Sequence, residues 1–239
     1  MIILKKLIYV VLPLVFSALI FVFSLTRDNP VDSVNKNQEK STKPVVIIDA
    51  GHGGFDGGAV ASDGTVEKDI NLAISLYLQK YLNDMNIKTI MIRDTDCSVE
   101  DEGLSTIRQR KTSDLYNRMK VMEETENAIF VSIHQNKFTE EKYSGTQVFY
   151  SPKTKDESAL LAQSIQDSVV NALQKDNKRQ IKECGTSVYL MYNAVKPAVL
   201  VECGFLSNPE EAEKLKSTKY QKKIAYCIAE GIQNYLLGS

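Results

Sequence analysis

The 239-residue chain has no tryptophan, only two histidines and only four cysteines. Cys97, Cys184, Cys203 and Cys227 contain no C-x-x-C pair, which excludes a structural zinc knot of the usual spacing. A domain this long does not need disulfide staples, so the four read as free and mostly buried thiols. No excess of one charge is present either: the formal net charge is −1, and no basic run appears, which argues against nucleic acid as a partner. Hydrophobic residues at 43% and charged residues at 25% exclude wholesale disorder and fit one globular domain with an appendage.

The appendage is N-terminal. Lys5 and Lys6 precede an apolar run from Leu7 to Leu25, long enough to span a bilayer and equally the shape of a signal peptide. No small-x-small cleavage site lies near Leu25-Thr26-Arg27-Asp28, which favours an uncleaved anchor. Lysines ahead of the run place the remainder outside the membrane. Three of the 29 basic side chains fall within residues 1–27, leaving 26 against 30 acidic ones, a charge of −4 for the rest. Residues 28–43 are polar and end before Pro44, as a tether would; the working domain is 44–239.

Within that domain, strand-like and helix-like segments alternate. Apolar runs at Val45–Ala50, Lys88–Ile92, Ala128–Ile133, Thr146–Tyr150, Val188–Met191 and Ala198–Val201 read as six strands. Helical spacing follows Glu67 (Ile70, Ile74, Tyr77, Leu78, Tyr81), recurs at Leu115, Met119 and Met122 and again from Leu160 to Leu173, and closes the chain from Ile224 to Leu236. Arg93–Asp114 reads as a long polar loop. The pattern predicts an α/β fold: a three-layer αβα sandwich around a roughly six-stranded, mostly parallel sheet.

Both histidines follow strand-like runs, His52 after Val45–Gly51 and His134 after Ala128–Ile133. Open α/β sheets bind ligands at the carboxyl ends of their strands. The glycines around His52 fit neither dinucleotide nor P-loop patterns: Asp56 stands where G-x-G-x-x-G needs its third glycine, and Ala59 where a P-loop needs lysine. Two imidazoles and a carboxylate make a hydrolytic zinc site with one position left for water. Glu67, opening the first helix, is the candidate third ligand; Asp69 competes for that role, and a first-turn acid is also favoured by the helix dipole alone. Glu202, directly after the apolar residues Ala198–Val201, is costly to bury without a partner and is the candidate catalytic acid, unless it ends the strand in solvent. Asp49 is placed to accept the other ring N–H of a ligand histidine. Cys203, next along the strand, faces away from Glu202.

Four segments, Ile48-Asp49-Ala50-Gly51-His52-Gly53-Gly54, Glu67-Lys68-Asp69-Ile70-Asn71-Leu72, Ser132-Ile133-His134-Gln135-Asn136 and Glu202-Cys203-Gly204-Phe205-Leu206-Ser207-Asn208, together resemble the motif blocks of the zinc-dependent N-acetylmuramoyl-L-alanine amidases. Arg93-Asp94-Thr95-Asp96, Leu115 with Arg118, and Gly145-Thr146-Gln147-Val148 agree with it, and the match runs from about Val45 to Tyr235. The resemblance implies a zinc-exopeptidase-like sandwich, His52, Glu67 and His134 as zinc ligands, and Glu202 as general base and acid. It also implies cleavage of the amide joining muramic acid to L-alanine in peptidoglycan. Asn136, close to His134, is the candidate for hydrogen-bonding the glycan-peptide substrate. Only 68 positions separate His134 from Glu202, too few for the inserted autoinhibitory helix of division amidases. A short anchored member without a wall-binding repeat is most similar to the germination-specific spore-cortex amidases, which act before muramic-δ-lactam formation. The acidic loop Glu100–Gly103 and the tether are candidate docking points for an accessory protein. The rival readings are a zinc peptidase acting on the stem peptide and a non-catalytic wall-binding protein.

Overall fold

The computed structural model describes residues 44–238. The anchor or signal segment and the tether expected before Pro44 lie outside the described residues. Among the described residues no helix is long and apolar enough to cross a membrane.

Six strands form one sheet: β1 Val45–Ala50, β2 Thr89–Met91, β3 Ala128–Asn136, β4 Gln147–Tyr150, β5 Lys182–Glu183 and β6 Ala198–Phe205. Their order is β2-β1-β3-β6-β4-β5, with β2, β1, β3 and β6 parallel and β4 running against β6. The runs Val45–Ala50 and Ala128–Ile133 are apolar on both faces because helices cover both sides, and the central strands are almost wholly buried. Helices α1 Glu67–Asp84, α3 Lys155–Ala172, α5 Pro209–Lys216 and α6 Thr218–Gly238 share one core with Val46, Ile48, Ile133, Val199 and Val201. On the other face, α2 Ile107–Glu124 and the short α4 Tyr189–Tyr192 pack on Ile47, Phe130 and Leu200. The expected three-layer α/β sandwich is the observed one.

Three expectations change in detail. Val188–Met191 is not a strand; the sixth strand is Lys182–Glu183, and Tyr189–Tyr192 is a single helical turn. Leu190 and Met191 are buried against the sheet from above, and a four-residue apolar run satisfies either geometry. The polar loop expected up to Asp114 ends earlier, because Thr106 and Gln109 form a reciprocal cap that starts α2 at Ile107. Helix α5, not anticipated, begins on Asn208, whose side chain accepts from Glu211 N–H, with Pro209 in the first turn.

The strands β3 and β6 run on beyond the expected ends, so His134, Asn136 and Glu202 sit within strands. The parallel strands β1, β3 and β6 end at one edge of the sheet. Antiparallel β4 starts there, with Gln147 opposite Glu202.

Helix α6 crosses α3 closely at Gly231, where a Cβ would lie 2.5 Å from Ile165 Cα and 2.9 Å from Ser164 O. A Gly231→Ala variant gains ~1 kcal/mol of helix propensity, but must separate two backbones. Overpacking costs ~1–3 kcal/mol, so chemical denaturation is expected to show a net loss of stability; an unchanged or higher midpoint would contradict this packing.

Candidate active site

The site is assembled on the backbone of residues 50–52. Arg93 donates from Nε to Ala50 O (2.8 Å) and from Nη2 to Gly51 O (3.0 Å). Arg118, 2% exposed, donates to Ala50 O at 3.0 Å and His52 O at 2.7 Å. Two buried guanidiniums thus take up three consecutive carbonyls where β1 leaves the sheet, groups that would otherwise be costly to bury. His52 itself has φ 61, a left-handed conformation unusual for a residue with a Cβ. Gly51 is required by close approach: a Cβ there would lie 2.2 Å from His134 Nε2.

Within this frame Glu67, 3% exposed at the start of α1, meets both histidines. His134 Nδ1 lies 3.0 Å from Glu67 Oε1, and His52 Nε2 lies 3.3 Å from Glu67 Oε2. The rings stand edge to face with centroids 4.9 Å apart. Backbone N–H groups of Gln135 (3.0 Å) and Ala59 (2.8 Å) donate one to each Glu67 oxygen, which fixes the carboxylate plane. One donor atom from each of His52, Glu67 and His134 lies within 4.8 Å of the others, a set that can hold a metal ion. Asp69, the competitor for the ligand role, is exposed and outside this group.

Burial opposes a charge on His52, yet hydrogen bonds to Asp56 and Glu67 outweigh it and lift the imidazole to about 9. Burial would raise the Glu67 carboxyl, but the two imidazoles hold it well below the usual range. A divalent cation among the same atoms would replace the shared protons.

Glu202 on β6 is the register partner of His134 on β3, so the two side chains leave the sheet on the same face, that of α2. Its Oε2 is buried with no hydrogen-bond partner. Burial, with the negative charge of Glu67 added and the imidazoles opposing, pushes this carboxyl up to about 7. An unpartnered carboxylate oxygen beside a two-histidine, one-carboxylate group is a fit for a metal-assisted site, where the ion and its water would satisfy it. The adjoining cavity of about 250 Å³ has apolar walls from Phe55, Leu115 and Leu190 and the polar groups of His52, Asp56 and Lys111 at its rim.

The acceptor role expected of Asp49 belongs to Asp56. His52 Nδ1 lies 3.0 Å from Asp56 Oδ2, and Lys111 Nζ lies 3.0 Å from Asp56 Oδ1. Asp49 turns instead to Arg118 Nη1 (2.5 Å) and the Ser132 hydroxyl (2.6 Å), both on the α2 side of the sheet. Asp56 falls four residues after His52 in a tight glycine-rich loop, a signal that was available in the sequence. Arg118 and Ser132 stood in segments that matched the family resemblance, but their pairing with Asp49 was not legible, because it lies 69 and 83 residues away. Asn136 lies two residues past His134, beyond a bulge, half-buried and opposite Phe205. The acidic loop near Glu100 is folded onto α2: Glu100 pairs with Arg110 (2.5 Å), and Asp101 accepts from Ser113 and Asn117. Cys97 is exposed and the other three cysteines are buried, all four free.

The sequence profile of the N-acetylmuramoyl-L-alanine amidase family matches residues 46–234. The chain belongs to this family. The amidase is 36% identical over 231 residues to the germination-specific N-acetylmuramoyl-L-alanine amidase of Bacillus subtilis, covering 97% of this chain and 95% of that one. The CwlD amidase of Clostridioides difficile, solved in complex with the GerS lipoprotein, superposes with a TM-score of 0.79 at 40% identity, covering 82% of this chain and all of that one. The catalytic domain of the amidase CwlV from Bacillus (Paenibacillus) polymyxa aligns at TM-score 0.67 and 29% identity, over 82% and 99% of the two chains. The amidase acts on peptidoglycan.

Because Asp49 is 1% exposed, an Arg118→Leu substitution leaves its charge buried and the carbonyl of His52 unpaired, with Arg93 as the remaining donor to Ala50 O. Breaking a buried pair costs ~3–5 kcal/mol, and urea unfolding of the variant is expected to fall in that range. A loss below about 1 kcal/mol, the scale of an exposed pair, would show that the clamp does not carry the site.

Proposed function

We propose that the enzyme uses zinc held by His52, Glu67 and His134, with Glu202 as general base and acid, to hydrolyse the amide between N-acetylmuramic acid and L-alanine. The observation that carries this reading is the register of His134 against Glu202, with the three candidate ligands gathered at the same strand ends. When bound, zinc supplies Lewis acidity, acidifying water and polarising a carbonyl. Glu202 removes a proton from the attacking water as its oxygen bonds to the lactyl carbonyl carbon. The C–N bond then breaks, and Glu202 returns the proton to the nitrogen of L-alanine. Asp56 holds the His52 ring with Nε2 turned towards Glu67, and Lys111 in turn holds Asp56. Asn136 hydrogen-bonds the glycan-peptide at the cleft edge. The apolar walls of Phe55, Leu115 and Leu190 limit water around the reacting groups.

Residues 1–27 anchor the chain or direct its export, and 28–43 tether the catalytic domain, which works outside the cytoplasmic membrane. The likeness to the Bacillus germination-specific enzyme supports the spore cortex as the site of action, in the step before muramic-δ-lactam forms. The Clostridioides relative was solved with a lipoprotein, which supports an accessory protein of that kind here.

A Glu202→Gln variant keeps the shape of the side chain but cannot accept a proton. Loss of a general base costs ~10²–10⁴-fold, so peptide release is expected to drop by that factor with zinc content retained. Glu67→Ala is expected to lose zinc as measured by plasma emission spectrometry. Full hydrolysis by Glu202→Gln would contradict the mechanism.

A further inference from the structure

A cavity of about 840 Å³ opens beside the segment entering β4, between the loop after α3 and the start of α5. Cations outnumber acids in its lining five to three. Among the described residues, Lys175, Lys178 and Lys214 have no carboxylate at ion-pair distance, as is also true of other surface lysines, while Lys142 in the same lining pairs with Glu140. Lysines in a surface loop are ordinarily only solvated, so what distinguishes this group is how firmly its wall is built.

Thr146, fully buried, is the fixing point. Its N–H donates to Gln174 Oε1 (2.8 Å), its hydroxyl donates to Cys203 O (2.8 Å), and its carbonyl accepts from Asn177 Nδ2 (2.8 Å) and Gln166 Nε2 (3.1 Å). The loop that carries the cations is therefore bonded to the strands of the sheet. Arg179, at its end, is pinned on both sides: Nε donates to Ser144 O (2.7 Å), Nη1 donates to Gln147 Oε1 (3.2 Å), and the guanidinium lies 4.4 Å from the Phe205 ring centre. No acceptor among the described residues meets Nη2. One of the three acids in the lining, Glu211, is committed to the fold, accepting from Gly145 N–H at 3.0 Å and Phe205 N–H at 2.9 Å.

The cavity is also tied to the reacting groups. Gln147, which Arg179 holds, is the register partner of Glu202, and Phe205, on which Arg179 stacks, lies three residues beyond Glu202 on the same strand. Neighbouring strands are ~4.8 Å apart and an extended peptide advances ~3.3 Å per residue. An extended peptide of two to four residues starting at Glu202 is thus longer than the one-strand step from Glu202 to Gln147, which Arg179 holds. Peptidoglycan stem peptides carry free carboxylates within that length.

We propose that this cavity is a subsite for a carboxylate of the stem peptide, with Arg179 as its anchor and Lys175, Lys178 and Lys214 supplying the field around it. A planar guanidinium fixed in place binds a carboxylate with two donors at little entropic cost. The inference rests on the amidase reading and adds to it a preference for acidic over amidated stems.

The test uses the zinc-loaded full chain and two soluble substrates: an N-acetylmuramoyl tripeptide with free stem carboxylates and the same compound with them amidated. The wild type is expected to prefer the acid. Arg179→Gln is expected to reduce that preference about tenfold, near the ~1.4 kcal/mol lower end for a hydrogen bond to a charge, with the change in KM rather than kcat. A Lys178→Gln/Lys214→Gln double variant, which disturbs no wall contact, should shift the preference in the same direction. Equal rates on both substrates in the wild type, or equal losses on both in Arg179→Gln, would overturn the proposal. Competition by millimolar inorganic phosphate would do so as well, by assigning the cavity to a phosphate group. Should neither substrate be cleaved at the muramoyl amide, the amidase reading fails on its own. Calorimetric titration of the free tripeptide then decides the subsite: binding lost on amidation and in Arg179→Gln upholds it, and absence of saturable binding overturns it.

Discussion

The register between β3 and β6 sets the chemistry of this protein, since it puts His134 and Glu202 side by side on one face of the sheet. Parallel strands repeat their side-chain direction every second residue, and a slip of one position would turn Glu202 into the apolar layer now occupied by Val201 and Cys203. Those neighbours supply the resistance to slippage: both are fully buried among α1, α3 and α6, so the hydrophobic core and the reactive carboxylate are fixed by the same alternation.

The first strand is held by charge rather than by apolar packing alone. Asp49 lies on the α2 face, and Arg118 reaches it from a helix whose first half is almost entirely polar. The same guanidinium pairs with Asp114 at 2.6 Å and takes the His52 carbonyl, so α2 is joined to the sheet through the residue that presents the imidazole. Buried ion pairs add little net stability, but they penalise alternatives strongly. Here that penalty falls on any arrangement in which His52 leaves its left-handed conformation. Rigidity around a functional group held in a strained backbone is the expected compensation.

Much of this was legible in the sequence. The apolar runs ending at Ala50 and Ile133 and the helical spacing after Glu67 pointed to the sandwich, while the two histidines, Glu67 with Asp69 as its competitor, and the acid directly behind Ala198–Val201 stood as candidates for its edge. What escaped depended on partners distant in the chain or on ambiguous short runs. Asp49 and Asp56 both flank His52, and only the α2 crossing reveals that Arg118 claims the first and leaves the second to the imidazole. The start of α2 was hidden because its first turns face the loop around Glu100 and Asp101 and so need polar side chains. Val188–Met191 had too few residues for its periodicity to separate strand from helix. Arg179 carries no signal in the sequence, and only the Thr146 network shows its loop to be bonded in place.

The most direct test of the central claim is to measure bound zinc on the purified full chain and identify its products from peptidoglycan by mass spectrometry. The account predicts about one zinc per chain, the stoichiometry of a single three-ligand site, together with stem peptides bearing a free L-alanine amino terminus and glycan with intact muramic acid. Cleavage within the stem peptide, or the same products from protein stripped of metal, would contradict it.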